Sequence, residues 1–116
     1  MPCDLQIQWR AERGKATPMK LPKSIRIGGF TFKVERALKI NSDGDCEGMF
    51  DIHNDIVWIK KGMGEQREAQ VFLHEVVHAI GVVYCADTMS EEQVEGVSQG
   101  LFQFAQQMKW IEDRKN

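Results

Sequence analysis

Three side chains in the run His74-Glu75-Val76-Val77-His78 have types and a spacing that could do chemistry. If the run is helical, the two imidazoles stand one turn apart on the same face, so both can reach a single metal ion. Glu75 lies about 100° round the helix from His74, where its carboxylate can take a proton from a water on the metal without being a ligand. The run sits inside an apolar stretch from Val71 to Tyr84 that otherwise reads as core. Unpaired burial there would cost about 1 to 3 kcal/mol for each polar group. One metal ion answers for both imidazoles, and two of the chain's three histidines are in this run.

A catalytic zinc normally has three protein ligands and one open position, so a third ligand is expected elsewhere. Glu91, Glu92 and Glu95 are the candidates, at the start of a segment with Val94, Val97, Leu101, Phe104, Met108 and Ile111 at helical three-four spacing. All three acids also suit the first turn of a helix on dipole grounds alone. At about 100° per residue, Glu91 falls at the border of the apolar stripe near Ser98, whereas Glu92 and Glu95 point further from it. Geometry therefore places Glu91 best. Glu95, one turn on, could accept the free ring N–H of a ligand histidine. Tyr84, the chain's only tyrosine, is a candidate oxyanion stabiliser with a structural role as the alternative.

These side chains need a helix to carry them. Lys61-Gly62-Met63-Gly64 interrupts the pattern, Glu65 and Glu68 put negative charge where a helix N-terminus favours it, and the helix is expected to run to about Tyr84. Phe72, Leu73, Val76, Val77, Ile80 and Val83 surround the motif on several sides, which predicts a central buried helix whose metal face opens into a cleft. Gly81, seven residues after His74, shares that face and would allow close packing under it. The second helix has two start signals, Ser90 with Gln93 and Thr88 with Glu91, and Met89 is placed to staple to Val94.

Ahead of the helices the period changes to two. Ile25 and Ile27, a Gly28-Gly29 turn, then Phe30, Phe32 and Val34 alternating with Thr31, Lys33 and Glu35 predict a β-hairpin whose second strand runs towards Ile40. Asn41, Asp43 and Asp45 are spaced like the start of a calcium loop. Cys46 stands where the turn glycine belongs and Ile52 where the bidentate glutamate belongs, so an ordinary loop is expected. Gly48 to Lys60 predicts a second hairpin, turning at His53-Asn54-Asp55 and joining the first in one small, mostly antiparallel sheet. The fold class is α+β. An edge strand beside the metal helix could take an extended peptide as an added strand. His53 could face the cleft, but a solvated turn tip is the expectation.

With 116 residues, 42% hydrophobic and 28% charged, the chain has room for one core. A single domain over residues 24–116 is expected, preceded by an extended arm over residues 1–23 that holds Gly14, Pro18, Pro22 and five basic residues. A net charge of −2 and a pI near 5.9 supply no global basic field for nucleic acid or an anionic membrane. Nucleic-acid binding through the basic arm has the least support. Cys3, Cys46 and Cys85 are too sparse and odd a set for a secreted disulfide framework, so a reducing cytoplasm is expected. The chain opens with no secretory apolar region, and no apolar run reaches the roughly 18 residues of a membrane span.

His74-Glu75-Val76-Val77-His78 followed by Glu91-Glu92-Gln93-Val94-Glu95 resembles the gluzincin metallopeptidases, whose second helix carries a Glu-x-x-small-acid pattern. The resemblance implies a zincin-like domain in which His74, His78 and Glu91 ligate Zn2+, Glu75 is the general base, and Glu95 is the acid behind a ligand histidine. Two positions depart from it: Val94 stands where alanine is frequent, and Glu95 where aspartate or asparagine is usual. Glu95 is therefore the alternative third ligand. The short spacing and the preceding strands look most like the ImmA/IrrE-like and other minimal gluzincins, many encoded by bacteria and their phages, and the likeness covers roughly Gly48 to Met108. His74 to Gly81 also fits the first eight positions of the metzincin pattern, but Tyr84 stands where its third histidine belongs and no Met-turn is evident. The expected function is hydrolysis of a peptide or protein substrate by zinc-activated water. The alternative is an inactive module in which zinc braces two helices, with Cys85, Asp87 or the tail from Lys109 to Asn116 closing the fourth position while a sheet edge recruits a partner.

Overall fold

A computed structural model of the chain describes residues 20–41 and 46–110. Most of the expected N-terminal arm (residues 1–19), Asp43 and Asp45 of the loop, and the tail from Ile111 lie outside the described residues. The described elements are β1 (Ser24–Ile27), β2 (Phe30–Ala37), β3 (Gly48–Asp51), β4 (Ile56–Lys60), α1 (Glu65–Tyr84) and α2 (Glu91–Gln107). The architecture is α+β, one sheet covered on one face by α1, with α2 packed on α1.

The sheet order is β1-β2-β4-β3. β1 and β2 form the expected antiparallel hairpin, with Ile27 opposite Phe30 across the glycine turn. Gly28 turns the chain at φ 64°, a conformation that costs a side-chain-bearing residue. The second hairpin, β3 with β4, is antiparallel as well. It joins the first through a parallel pairing, Val34 to Val57 and Arg36 to Ile59, so the sheet is mixed and antiparallel in two of its three pairings. The chain leaves β2 at Ala37, short of Ile40, and lays β3 down at the far edge before β4 fills the gap. β4 is thus an inner strand beside β2, and its inward side chains Val57 and Ile59 are fully buried.

The inner sheet face meets α1. Ile27, Phe32, Val57 and Ile59 pack with Val71, Phe72 and Ala79, and Leu21 from the chain before β1 joins them. Phe50 of β3 sets its ring edge-on to Phe32 at 5.1 Å. Arg36 of β2 grips the Glu68 carboxylate with Nε at 2.9 Å and Nη2 at 3.0 Å, which ties the first turn of α1 to the sheet. Half-exposed pairs of this kind contribute about 0 to 1 kcal/mol, so the apolar contacts decide the packing.

α1 ends at a tight reversal. The amides of Cys85 and Asp87 both donate to the Gly81 carbonyl, and Ala86 and Asp87 take the left-handed φ values of 53° and 59°. Of the two expected caps, Ser90 is the one used. Its Oγ accepts from the Gln93 amide at 3.0 Å while Gln93 Oε1 accepts from the Ser90 amide at 2.8 Å, and Thr88 bonds Cys85 instead. α2 then buries Val94, Ser98 and Ala105. Val97, Leu101 and Phe104 of the predicted stripe are exposed among the described residues, because α1 covers only one side of it. No described helix is long and apolar enough to cross a membrane.

The Gly28 turn rests on α1, and a Cβ there would stand 2.6 Å from Val83 Cγ1. Gly28→Ala is expected to lose about 1 to 3 kcal/mol through strain and overpacking. Gly29→Ala, whose Cβ meets nothing within 4 Å, should stay within about 0.5 kcal/mol of the parent. Urea denaturation of the two variants checks this, and equal losses would show that the turn does not bear on the helix.

Candidate metal centre

Helical spacing places His74 and His78 one above the other on α1, with ring centroids 4.9 Å apart and planes at 68°. Both Nε2 atoms face the same oxygen, Glu91 Oε1, at 3.8 Å from His74 and 3.1 Å from His78. Ligand atoms about 2.0 to 2.1 Å from one tetrahedral zinc would be roughly 3.3 Å apart, and the two distances bracket that value. The three residues offer donor atoms that all lie within 4.8 Å of one another, so the group could hold a metal ion. Two imidazole nitrogens and a carboxylate oxygen suit zinc and its first-row neighbours.

Glu91 reaches this position through local structure. The Ser90 cap makes it the first residue of α2. The reversal before it is pressed close to α1 because Gly81 has no side chain; a Cβ there would be 3.1 Å from Met89 Sδ. Glu95, one turn along α2, puts Oε1 at 2.9 Å from His74 Nδ1. With that nitrogen donating, Nε2 is the one left with a lone pair towards Glu91. Gln99 and then burial act on Glu95 in opposite senses, and the net result holds its carboxyl below the usual range, with His74 and Arg67 adding to the lowering.

Glu75 points the other way, towards the sheet. It is 7% exposed, and its carboxylate makes no hydrogen bond or ion pair among the described residues. Burial pushes its pKa up, His78 and His74 pull against that, and Glu91 adds a small push upward. Gly48, the first residue of β3, lies directly over it. A Cβ on Gly48 would meet Val71 Cγ1 at 2.5 Å and Glu75 Oε2 at 3.1 Å, so only glycine lets the strand come this close.

Strand, helix and carboxylates enclose a cleft of about 520 Å³, with β3 as one wall, the first turns of α2 as the other, and His74, Glu75 and His78 between them. His74, Glu75, His78, Glu91 and Glu95 all line it. Tyr84 does not line it, a placement that suits the structural alternative. Six residues beyond His78 it has turned about 240° round the helix. Its ring lies against Gly28 on the far side and is 65% exposed. Glu92, His53, Cys85 and Asp87 are exposed and line no part of the cleft.

The motif leaves several cleft residues unmarked, among them Gly48, Arg67, Gln70 and Gln99. Arg67 and Gln70 precede His74 by seven and four residues, so the helical period that pairs the histidines also puts them on that face. Gln99 stands four residues after Glu95 and bonds it. Nothing local marks Gly48, because its role depends on a helix twenty-seven residues away. No family model matches the chain, and no curated protein or solved structure matches it either.

Gly48→Ala should force β3 away from α1 or displace Val71, at a cost of about 1 to 3 kcal/mol. Thermal denaturation of the metal-free chain measures this, and an unchanged melting point would mean that the strand is not held against Glu75.

Proposed function

We propose that this chain is a zinc-dependent peptidase of the minimal gluzincin kind, with His74, His78 and Glu91 holding the ion and Glu75 as general base. The observation that carries the reading is a buried, unpartnered Glu75 carboxylate opening on the same cleft as three convergent ligand atoms. A carboxylate without partners is costly to bury, so its place beside the His74, His78 and Glu91 group favours a task over a structural role.

Zinc bound there would lower the pKa of its water to about 7 and polarise a scissile carbonyl. The chain's own residues do the rest. Glu75 takes a proton at its carboxylate and returns it to the leaving amine. Glu95 receives the His74 Nδ1 proton in a hydrogen bond and so fixes which ring nitrogen faces Glu91. β3, an edge strand among the described residues, offers its free backbone groups along the cleft wall, where an extended peptide or protein segment can be added as a further strand.

Elemental analysis of the purified chain should find one zinc per chain, and His78→Ala should lose it. Glu75→Gln should keep the metal and lose at least about 100-fold in turnover of a peptide found to be cleaved by the parent chain. Wild-type turnover in Glu75→Gln would end the general-base assignment. A parent chain that takes up zinc but cleaves no member of a broad peptide library would favour the brace over the enzyme.

A further inference from the structure

We infer that Gln99 and Gln70 are positioning residues for the metal centre, forming with Arg67 a relay of side-chain hydrogen bonds that holds Glu95 against His74. The inference rests on the metal-site reading above and adds residues which that reading does not use.

Glu95 alone would be a poor anchor. Its side chain is 53% exposed on a helix surface, where a long carboxylate has several rotamers open to it. Here both oxygens are taken by different donors. His74 Nδ1 reaches Oε1 at 2.9 Å and Gln99 Nε2 reaches Oε2 at 2.8 Å, which fixes the plane of the carboxylate. Gln99 is held in turn, its Oε1 accepting from Gln70 Nε2 at 3.1 Å across the gap between the helices. Gln70 Oε1 accepts from Arg67 Nη1 at 3.0 Å. Arg67 closes the line on Glu47, just ahead of β3, through Nε at 3.1 Å and also through Nη2.

The polarity of this line is the reason to read it as built. A guanidinium only donates and an ionised carboxylate only accepts. With Arg67 at one end and Glu95 at the other, the two amides between them have one orientation that satisfies every contact. Turning either amide over would set donor against donor and acceptor against acceptor. The relay therefore holds the Glu95 carboxylate in place, and because that carboxylate can only accept, His74 donates from Nδ1 and Nε2 faces Glu91. It also explains why Arg67, Gln70 and His74 share one face of α1 while Glu95 and Gln99 share one of α2.

The test is zinc affinity, read by competition with a chromophoric chelator, alongside thermal denaturation of the zinc-free chain. Gln99→Met and Gln70→Met keep the side-chain length and remove the hydrogen bonds. Each should weaken zinc binding by about tenfold, the lower end of what outer partners of metal ligands contribute. Zinc-free melting should not change. In a Glu95→Ala background, Gln99→Met should cause no further loss, because it acts through Glu95. Affinity within twofold of the parent in both variants overturns the relay, as does an undiminished tenfold loss in the Glu95→Ala background. If Gln99→Met does not fold, Gln70→Met decides alone by the same criteria. A parent chain that binds no zinc overturns the relay and the metal reading together, whereas a zinc-binding parent with unaffected variants overturns the relay alone.

Discussion

α1 has to meet the sheet on one side and α2 on another, and the strip of surface left between those contacts is where the polar chemistry stands. Val71, Phe72 and Ala79 are taken by the sheet, while α2 brings Val94, Ser98 and Ala105 to the bundle. His74 and His78 occupy the strip that faces neither fully, and they are half-buried in consequence. Glu75 lies about 100° from His74, on the border of the sheet-facing side. Its burial therefore follows from the angle between it and the histidine it accompanies. The same angle keeps it off the line on which the ligand atoms converge. A carboxylate that stands beside a candidate metal-binding group without joining it is a product of helix geometry first.

What surrounds the strip depends on small contacts that set distances. Gly81 lets Met89 come down on α1, the left-handed pair Ala86 and Asp87 reverses the chain in the space allowed, and the Ser90 cap starts α2 at Glu91. A helix begun one turn later would carry Glu91 in a loop and Glu95 in the first turn. On the opposite wall Gly48 works in the same way, letting β3 approach until the strand backbone covers Glu75. Gly48 thus sets how closely the strand wall approaches, while Gly81 eases a close contact with the flexible Met89. Neither has a positive φ, so it is the absent side chain that matters in both.

Much of this was legible in the sequence, and the parts that were not share a cause. The helix that carries the histidines could be bounded closely because glycines, first-turn acids and a 3.6-residue apolar period agree over Glu65–Tyr84. His74 and His78 could be paired because their residue type is costly in a core and their spacing is local, whereas Glu91 is picked out by its place at the border of the α2 apolar stripe and by the resemblance, with Glu95 as the alternative. Sheet order could not be read, since alternating strands look the same whether β4 pairs with β2 in parallel or β3 does so in antiparallel fashion. Only the path of the chain between Ala37 and Gly48 decides that. Two start signals competed for α2, and hydrogen bonding resolved them in favour of Ser90. For Tyr84 residue type leaves two roles open, and its helical angle, which turns it away from the cleft, suits the structural one. Gln70 and Gln99 were invisible because a glutamine on a helix surface is ordinary until its partner on another helix is known.

The cleft also has a marked imbalance of charge. Glu47, Glu75, Glu91 and Glu95 line it, and Arg67 is the one cationic side chain among its described lining residues. Four carboxylates within one small cavity repel each other, and repulsion of this kind falls slowly with distance where water is partly excluded. Arg67 relieves it at the β3 end by pairing with Glu47. At the other end Glu95 has a neutral amide donor in Gln99 besides His74, and the groups facing Glu91 are the two imidazoles, which relieve a carboxylate fully only when protonated or when they share a cation with it. A divalent ion between His74, His78 and Glu91 would neutralise that end and join α1 to α2 in one step. The charge of the cleft and the geometry of its donors thus bear on the same question, and both suit a group that could hold a small cation between α1 and the start of α2.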